Sequence, residues 1–65
     1  MKHLVFYKTN DVFLAEDRLT TVNMSVEVVP TPVQDKAYCG VCVRIEDEQL
    51  ERAISVLESM EFMVV

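Results

Sequence analysis

The chain has 65 residues, six of them basic and eleven acidic, with a net charge of −5 and 51% hydrophobic residues. This length predicts a single domain spanning 1–65, and the acidic balance argues against a nucleic-acid-binding protein, which carries a basic footprint. The sequence lacks both an apolar run of about 18 residues and a secretory signal pattern, so no membrane association and a cytoplasmic location are expected, with thiols kept reduced.

The first half of the chain predicts a strand, a helix and a second strand. β-branched and aromatic residues favour a strand over 3–8. Thr9 and Asn10 are the predicted helix N-caps, and apolar residues then recur at helical spacing as far as residue 22. Residues 24–29 alternate as in a strand, which is expected to end, or to lie at a sheet edge, where two prolines follow.

The second half predicts the same kinds of element in the order strand, helix, strand. A loop to about residue 38 precedes a strand over 40–45, Asp47 is the predicted cap of a helix, and a short strand covers 62–65. The order β-α-β-β-α-β predicts an α+β, ferredoxin-like fold, with a four-stranded antiparallel sheet and two helices on one face.

The sheet face away from the helices is predicted to be half apolar. Its expected residues are Val5, Tyr7, Val29, Cys42 and Arg44. Because both helices would cover the other face, we predict that this open face pairs with a second copy in a homodimer.

The junction between the proline-containing loop and the third strand is the most informative stretch of the chain. Cys39 lies there, followed by Gly40, which would leave room for a partner to approach the sulfur. Pro30 and Pro32 are expected to stiffen the entry to the loop. Lys36, the only basic residue of the loop, is the candidate for stabilising a thiolate. A buried cysteine that acts only as a small hydrophobic residue is the structural alternative.

Cys39 and Cys42 also form a C-x-x-C pattern. A redox C-x-x-C normally opens a helix, whose N-terminus stabilises the first thiolate, whereas this one opens a strand. Residues three apart on a strand point to opposite faces, which argues against a disulfide, although Cys42 stays a candidate resolving thiol. One histidine and two cysteines are too few for a structural zinc site, and no metal or cofactor is expected.

A longer pattern of Pro30-Thr31-Pro32, six intervening residues, Cys39-Gly40 and an apolar strand resembles the selenium/sulfur (Se/S) carrier protein-like family. The likeness covers nearly the whole chain. It implies that Cys39 carries sulfur or selenium, as a persulfide or selenide. In two places the sequence departs from the family's pattern: Val33 replaces an arginine, and 36–38 replace serines.

Two functions follow as hypotheses. The resemblance implies a carrier or accessory protein rather than an enzyme, with a donor such as a cysteine desulfurase and an acceptor protein as partners. The alternative is a non-catalytic ferredoxin-like interaction or small-ligand module that dimerises through its open sheet face.

Overall fold

The computed structural model describes residues 1–32 and 35–65. Within these residues four strands and two helices are formed: β1 (Lys2–Val5), α1 (Thr9–Thr21), β2 (Glu27–Pro30), β3 (Val41–Ile45), α2 (Leu50–Val56) and β4 (Met63–Val64). A 3-10 turn over Asp47–Gln49 leads into α2. The strands form one antiparallel sheet in the order β2-β3-β1-β4. The predicted α+β, ferredoxin-like arrangement is confirmed.

Both helices pack on one face of the sheet. The apolar residues at helical spacing on the two helices pack against alternate residues of the strands, and together they form one core. Its buried members are Leu4, Phe6, Val12, Ala15, Leu19, Met24, Val43, Ile45, Ala53 and Leu57. Burial of each large aliphatic or aromatic side chain stabilises the fold by about 1.5–3 kcal/mol, which makes this cluster the main source of stability.

The ends of α1 are set by backbone hydrogen bonds rather than by side-chain caps. The Lys8 carbonyl accepts from the N–H groups of Asp11 (3.1 Å) and Val12 (3.3 Å), so the first turn starts earlier than predicted. Lys8 is therefore the N-cap, and the prediction of Thr9 or Asn10 as the cap was wrong.

The turn before α2 also differs from its prediction. Glu46, rather than Asp47, is the N-cap, because Glu46 and Gln49 form a reciprocal capping box. The Asp47 carboxylate instead pairs with the α-amino group of Met1 at 2.8 Å.

The sheet face away from the helices carries one apolar row that crosses all four strands. The register aligns Val29 with Cys42, Cys42 with Val5, and Val5 with Met63. Val5 and Cys42 are fully buried although the helices lie on the other face. Loop residues provide the cover.

Tyr38 forms a clasp over this row. Its ring stacks on Tyr7, with ring centroids 4.9 Å apart, and its hydroxyl reaches the sulfur of Met63 at 3.6 Å. The clasp of Tyr7, Tyr38 and Met63 holds the loop against the end of the sheet where β1 and β4 meet. The face predicted to be open is thus partly closed by the chain itself, and its pairing with a second copy stays a prediction.

No helix within residues 1–32 and 35–65 has the length and apolar character needed to cross a bilayer.

Candidate functional site

The backbone of Cys39 is held from two sides. Its N–H donates to the Phe6 carbonyl at 3.0 Å, which ties the loop to the end of β1. The Thr31 hydroxyl donates to the Cys39 carbonyl at 2.8 Å, and the Thr31 N–H donates to the Gly40 carbonyl at 2.9 Å. These three hydrogen bonds fix where the chain presents the thiol, whatever rotamer the side chain adopts.

The side chain of Cys39 is half-buried and packs against the edge of the core on the helix side of the sheet. Its Sγ donates a hydrogen bond to the Val41 carbonyl at 2.9 Å. Only the protonated thiol has a hydrogen to donate, so the sulfur must leave this carbonyl before it attacks a partner.

Gly40 lies next to the thiol in open surroundings. It is exposed, and a Cβ added there would meet no atom of residues 1–32 and 35–65 within 4 Å. Its φ is not positive, so the backbone does not require glycine for conformational reasons. The open space is what the predicted access role of Gly40 requires.

The two prolines lie at the start of the loop. Pro30 is the last residue of β2, an edge strand, and is aligned with Val41 of β3. This position agrees with the prediction that the strand stops, or lies at an edge, at the prolines. Pro32 is exposed just beyond it. Their predicted stiffening of the loop stays a prediction.

Lys36 is exposed in a turn that Asp35 stabilises by accepting the N–H of Ala37 at 2.9 Å. The hydrogen bonds and ion pairs among the described residues do not join Lys36 to Cys39. Its role as a thiolate stabiliser therefore stays a prediction. Val33, which stands where the family has an arginine, lies outside the described residues.

Cys42 differs from Cys39 in its burial and in the side of the sheet on which it lies. It is fully buried on the opposite sheet face, with its Sγ 3.8 Å from the Pro30 carbonyl. Burial raises the pKa of the Cys42 thiol, and the neighbouring Thr31 hydroxyl offsets part of that effect. Both cysteines are free in the described part of the chain. A resolving role for Cys42 stays a prediction. It would require a disulfide between two sulfurs that now lie on opposite sides of the sheet, so both would have to move.

Thr31 is the residue of this site that sequence reasoning missed. A threonine between two prolines suggested only a stiff loop, whereas the structure makes it the link between β2 and the Cys39–Gly40 peptide. The available signal was a hydroxyl in a loop that returns to the sheet. It did not identify the acceptor, because the Cys39 carbonyl lies eight residues away in the sequence.

Replacement of Thr31 by valine should remove the hydrogen bond to the Cys39 carbonyl while keeping the side-chain shape. We expect a loss of about 1 kcal/mol in the free energy of unfolding, measured by urea denaturation, and faster hydrogen exchange at the Cys39 amide. Thr31→Ser is the matched control and should retain most of the stability and most of the protection of the Cys39 amide. Equal behaviour of the two variants would contradict this role of the hydroxyl.

The described residues contain no group of three or more His, Cys, Asp or Glu side chains arranged to hold a metal ion. The chemistry that this arrangement offers is that of one accessible sulfur on a fixed backbone.

Comparison with known proteins gives one match. The model of the family described as "Putative Se/S carrier protein-like" matches residues 3–64 of the 65-residue chain. No curated protein and no solved structure matches it. The family's description points to a carrier rather than to a catalyst. Because the match covers both helices and all four strands seen in the described residues, the chain belongs to the Se/S carrier protein-like family.

Proposed function

We propose that the protein carries sulfur or selenium on Cys39, as a persulfide or selenide, between a donor and an acceptor protein. The observation that carries the proposal is the contrast between the two cysteines of a chain in this family. Cys39 is half-buried beside the open surroundings of Gly40, whereas Cys42 is fully buried. Reactive cysteines are partly exposed, and buried cysteines are usually inert.

The loading step is an exchange that needs no external oxidant or reductant. The Cys39 thiolate attacks the outer sulfur of a persulfide on the donor's cysteine, forming a new sulfur–sulfur bond as the donor's bond breaks. The donor cysteine leaves as a thiolate and takes up the proton that Cys39 released. Transfer to the acceptor repeats the exchange with Cys39 as the donor. With selenium as cargo, the outer atom is selenium and the balance is the same.

The site separates a fixed backbone from a movable sulfur. Hydrogen bonds to Phe6 and Thr31 hold the Cys39 main chain, while among the described residues the thiol makes one hydrogen bond, to the Val41 carbonyl. Rotation about the Cα–Cβ bond breaks that one bond and turns the sulfur outward, where Gly40 leaves space for a partner. Lys36 is the proposed cation for an anionic persulfide in this outward position.

The partners follow from this chemistry. The donor is a protein that forms a persulfide or selenide on its own cysteine, such as a cysteine desulfurase, and the acceptor is a second protein with a nucleophilic thiol. The cytoplasm, where free thiols persist, is the proposed location.

Intact-protein mass spectrometry tests the proposal directly. After incubation with a cysteine desulfurase and cysteine, the protein is expected to gain the mass of one sulfur. Cys42→Ala is the matched control and should gain it too, whereas Cys39→Ala should not. An unmodified wild-type protein, or an adduct that survives in Cys39→Ala, would overturn the assignment of Cys39 as carrier.

The second candidate function, a non-catalytic interaction module, is favoured by the inward hydrogen bond and core packing of the Cys39 thiol. If the protein is such a module, the Cys39 thiol should be inert to alkylation in the folded chain. The labelling experiment discussed below therefore separates the two functions.

A further inference from the structure

A groove of about 500 Å³ lies between α2 and β4, on the helix side of the sheet. We call it the edge groove. Its floor and walls are mainly apolar, and its rim carries two carboxylates; the residues used here are Ile54, Leu57, Phe62, Val64, Glu58 and Glu61. Ile54 and Val64 are 43% and 38% exposed, respectively, so apolar surface is left uncovered where α2 stops short of the sheet edge.

The backbone beside the edge groove is also unpaired on one side. Val65 exchanges two hydrogen bonds of 2.9 Å with His3, so the N–H and C=O groups of Val65 point toward β1. Polar groups of successive strand residues point to opposite edges, so those of Val64 point away from the sheet. Within residues 1–32 and 35–65, β4 pairs with β1 alone. Such an edge can accept one more strand.

The charge around the edge groove favours a basic binding partner over an acidic one. In the described part of the chain, Glu58 and Glu61 line it and lysine and arginine do not. A second copy of this chain, with a net charge of −5, would bring more negative charge to an acidic rim. A segment with apolar residues at alternate positions and basic residues at its ends complements both the groove and the rim.

We propose that the edge of β4 binds an extended segment of a partner protein by strand addition. The partner's backbone pairs with Val64, its apolar side chains fill the edge groove, and its flanking Lys or Arg residues meet Glu58 and Glu61. In this mode the backbone hydrogen bonds supply affinity and the side-chain pockets supply specificity.

This surface adjoins the thiol site but does not depend on its cargo. Tyr7 lines the edge groove and also stacks on Tyr38, the residue before Cys39. The rest of a protein bound at β4 would therefore lie beside Cys39. Binding in the edge groove can be measured on a chain whose thiol is unloaded, so a failed sulfur transfer and a failed docking are distinguishable.

A fluorescein-labelled nine-residue peptide, with valine and threonine alternating in its centre and two lysines at each end, is the probe, and fluorescence anisotropy at low salt is the measurement. Saturable binding is expected, with slower hydrogen exchange at the Val64 amide because its outward N–H becomes paired. Ile54→Lys should weaken binding about tenfold or more, since it removes apolar contact and adds repulsion. Phe13→Lys, an exposed apolar residue on α1 outside the groove, is the matched control and should bind like the wild type.

Three results would overturn the proposal. The first is absence of saturable binding, because strand addition relies on backbone pairing that a generic extended peptide supplies. The second is equal binding of the same peptide with glutamates in place of its terminal lysines, which would remove the selection by charge. The third is protection of the Val64 amide that rises with protein concentration alone, which would make a second copy the occupant.

Discussion

Iodoacetamide is expected to alkylate Cys39 of the folded protein at least about a hundredfold faster than Cys42 at about pH 8, since the core positions of a domain open only at a cost of several kcal/mol. Cys39 needs only a side-chain rotation to reach solvent. Cys42 is fully buried, and burial raises the pKa of its thiol, so both access and thiolate formation oppose its reaction. Peptide mapping after timed quenching measures the two rates in the same sample.

Unfolding the protein in urea supplies the control, because both thiols should then react at similar rates. A Cys39 as inert as Cys42 would contradict the carrier function and favour the interaction module. A Cys42 that reacts readily would contradict its burial on the sheet face.

Replacement of Phe6 by alanine is expected to cost about 3–5 kcal/mol in the free energy of unfolding. A domain of 65 residues has a total stability of about 3–10 kcal/mol, so a large fraction of the variant should be unfolded. The Phe6 ring is fully buried and lies 5.3 Å from the ring of Phe62, between centroids. Far-ultraviolet circular dichroism during urea denaturation measures the loss.

Phe13→Ala is the matched control, because Phe13 is 52% exposed on α1 and its truncation should change stability by no more than about 0.5 kcal/mol. Equal losses in the two variants would contradict the position of Phe6 in the core. Because a large fraction of the Phe6→Ala chains should be unfolded, this variant should also lose most of the difference in labelling between the two cysteines.

Most of the fold could be predicted from periodicity. The helical spacing of Val12, Ala15 and Leu19 and the alternation along the strands identify the residues that face the core, and those residues are buried there. The β-α-β-β-α-β order then admits few topologies, since crossover connections are right-handed. Local patterns therefore sufficed for the layers of the fold and for the identity of its two faces.

Contacts between residues far apart in the sequence could not be predicted. The stacking of Tyr38 on Tyr7 and the hydrogen bond from Cys39 to Phe6 both join the loop to β1, across some thirty positions. Nothing in the local sequence shows that this loop folds back over the sheet. The open face was therefore predicted to be more exposed than it is.

The predicted caps Thr9 and Asp47 each lie one residue after the observed caps, Lys8 and Glu46, for a related reason. Residue type favours Thr9 and Asp47 as caps, but backbone hydrogen bonds to Lys8 and the side chain of Gln49 decide the outcome. The junction of the loop and β3 at Cys39–Gly40 was located correctly along the sequence, because a cysteine beside a glycine at a strand start is a local feature. Its surroundings, including the hydrogen bond to the Val41 carbonyl, are not.

The position of β1 in the sheet has a consequence for synthesis of the protein. β1 is made first, yet both of its neighbours, β3 and β4, lie beyond residue 40. The nascent chain can form α1 early, but β1 has no neighbour until β3 has been translated, and β4 joins it last. Until β3 pairs with β2 and β1, Cys42 is as open to reagents as Cys39. The chemical difference between the two cysteines is thus acquired only when these three strands have paired.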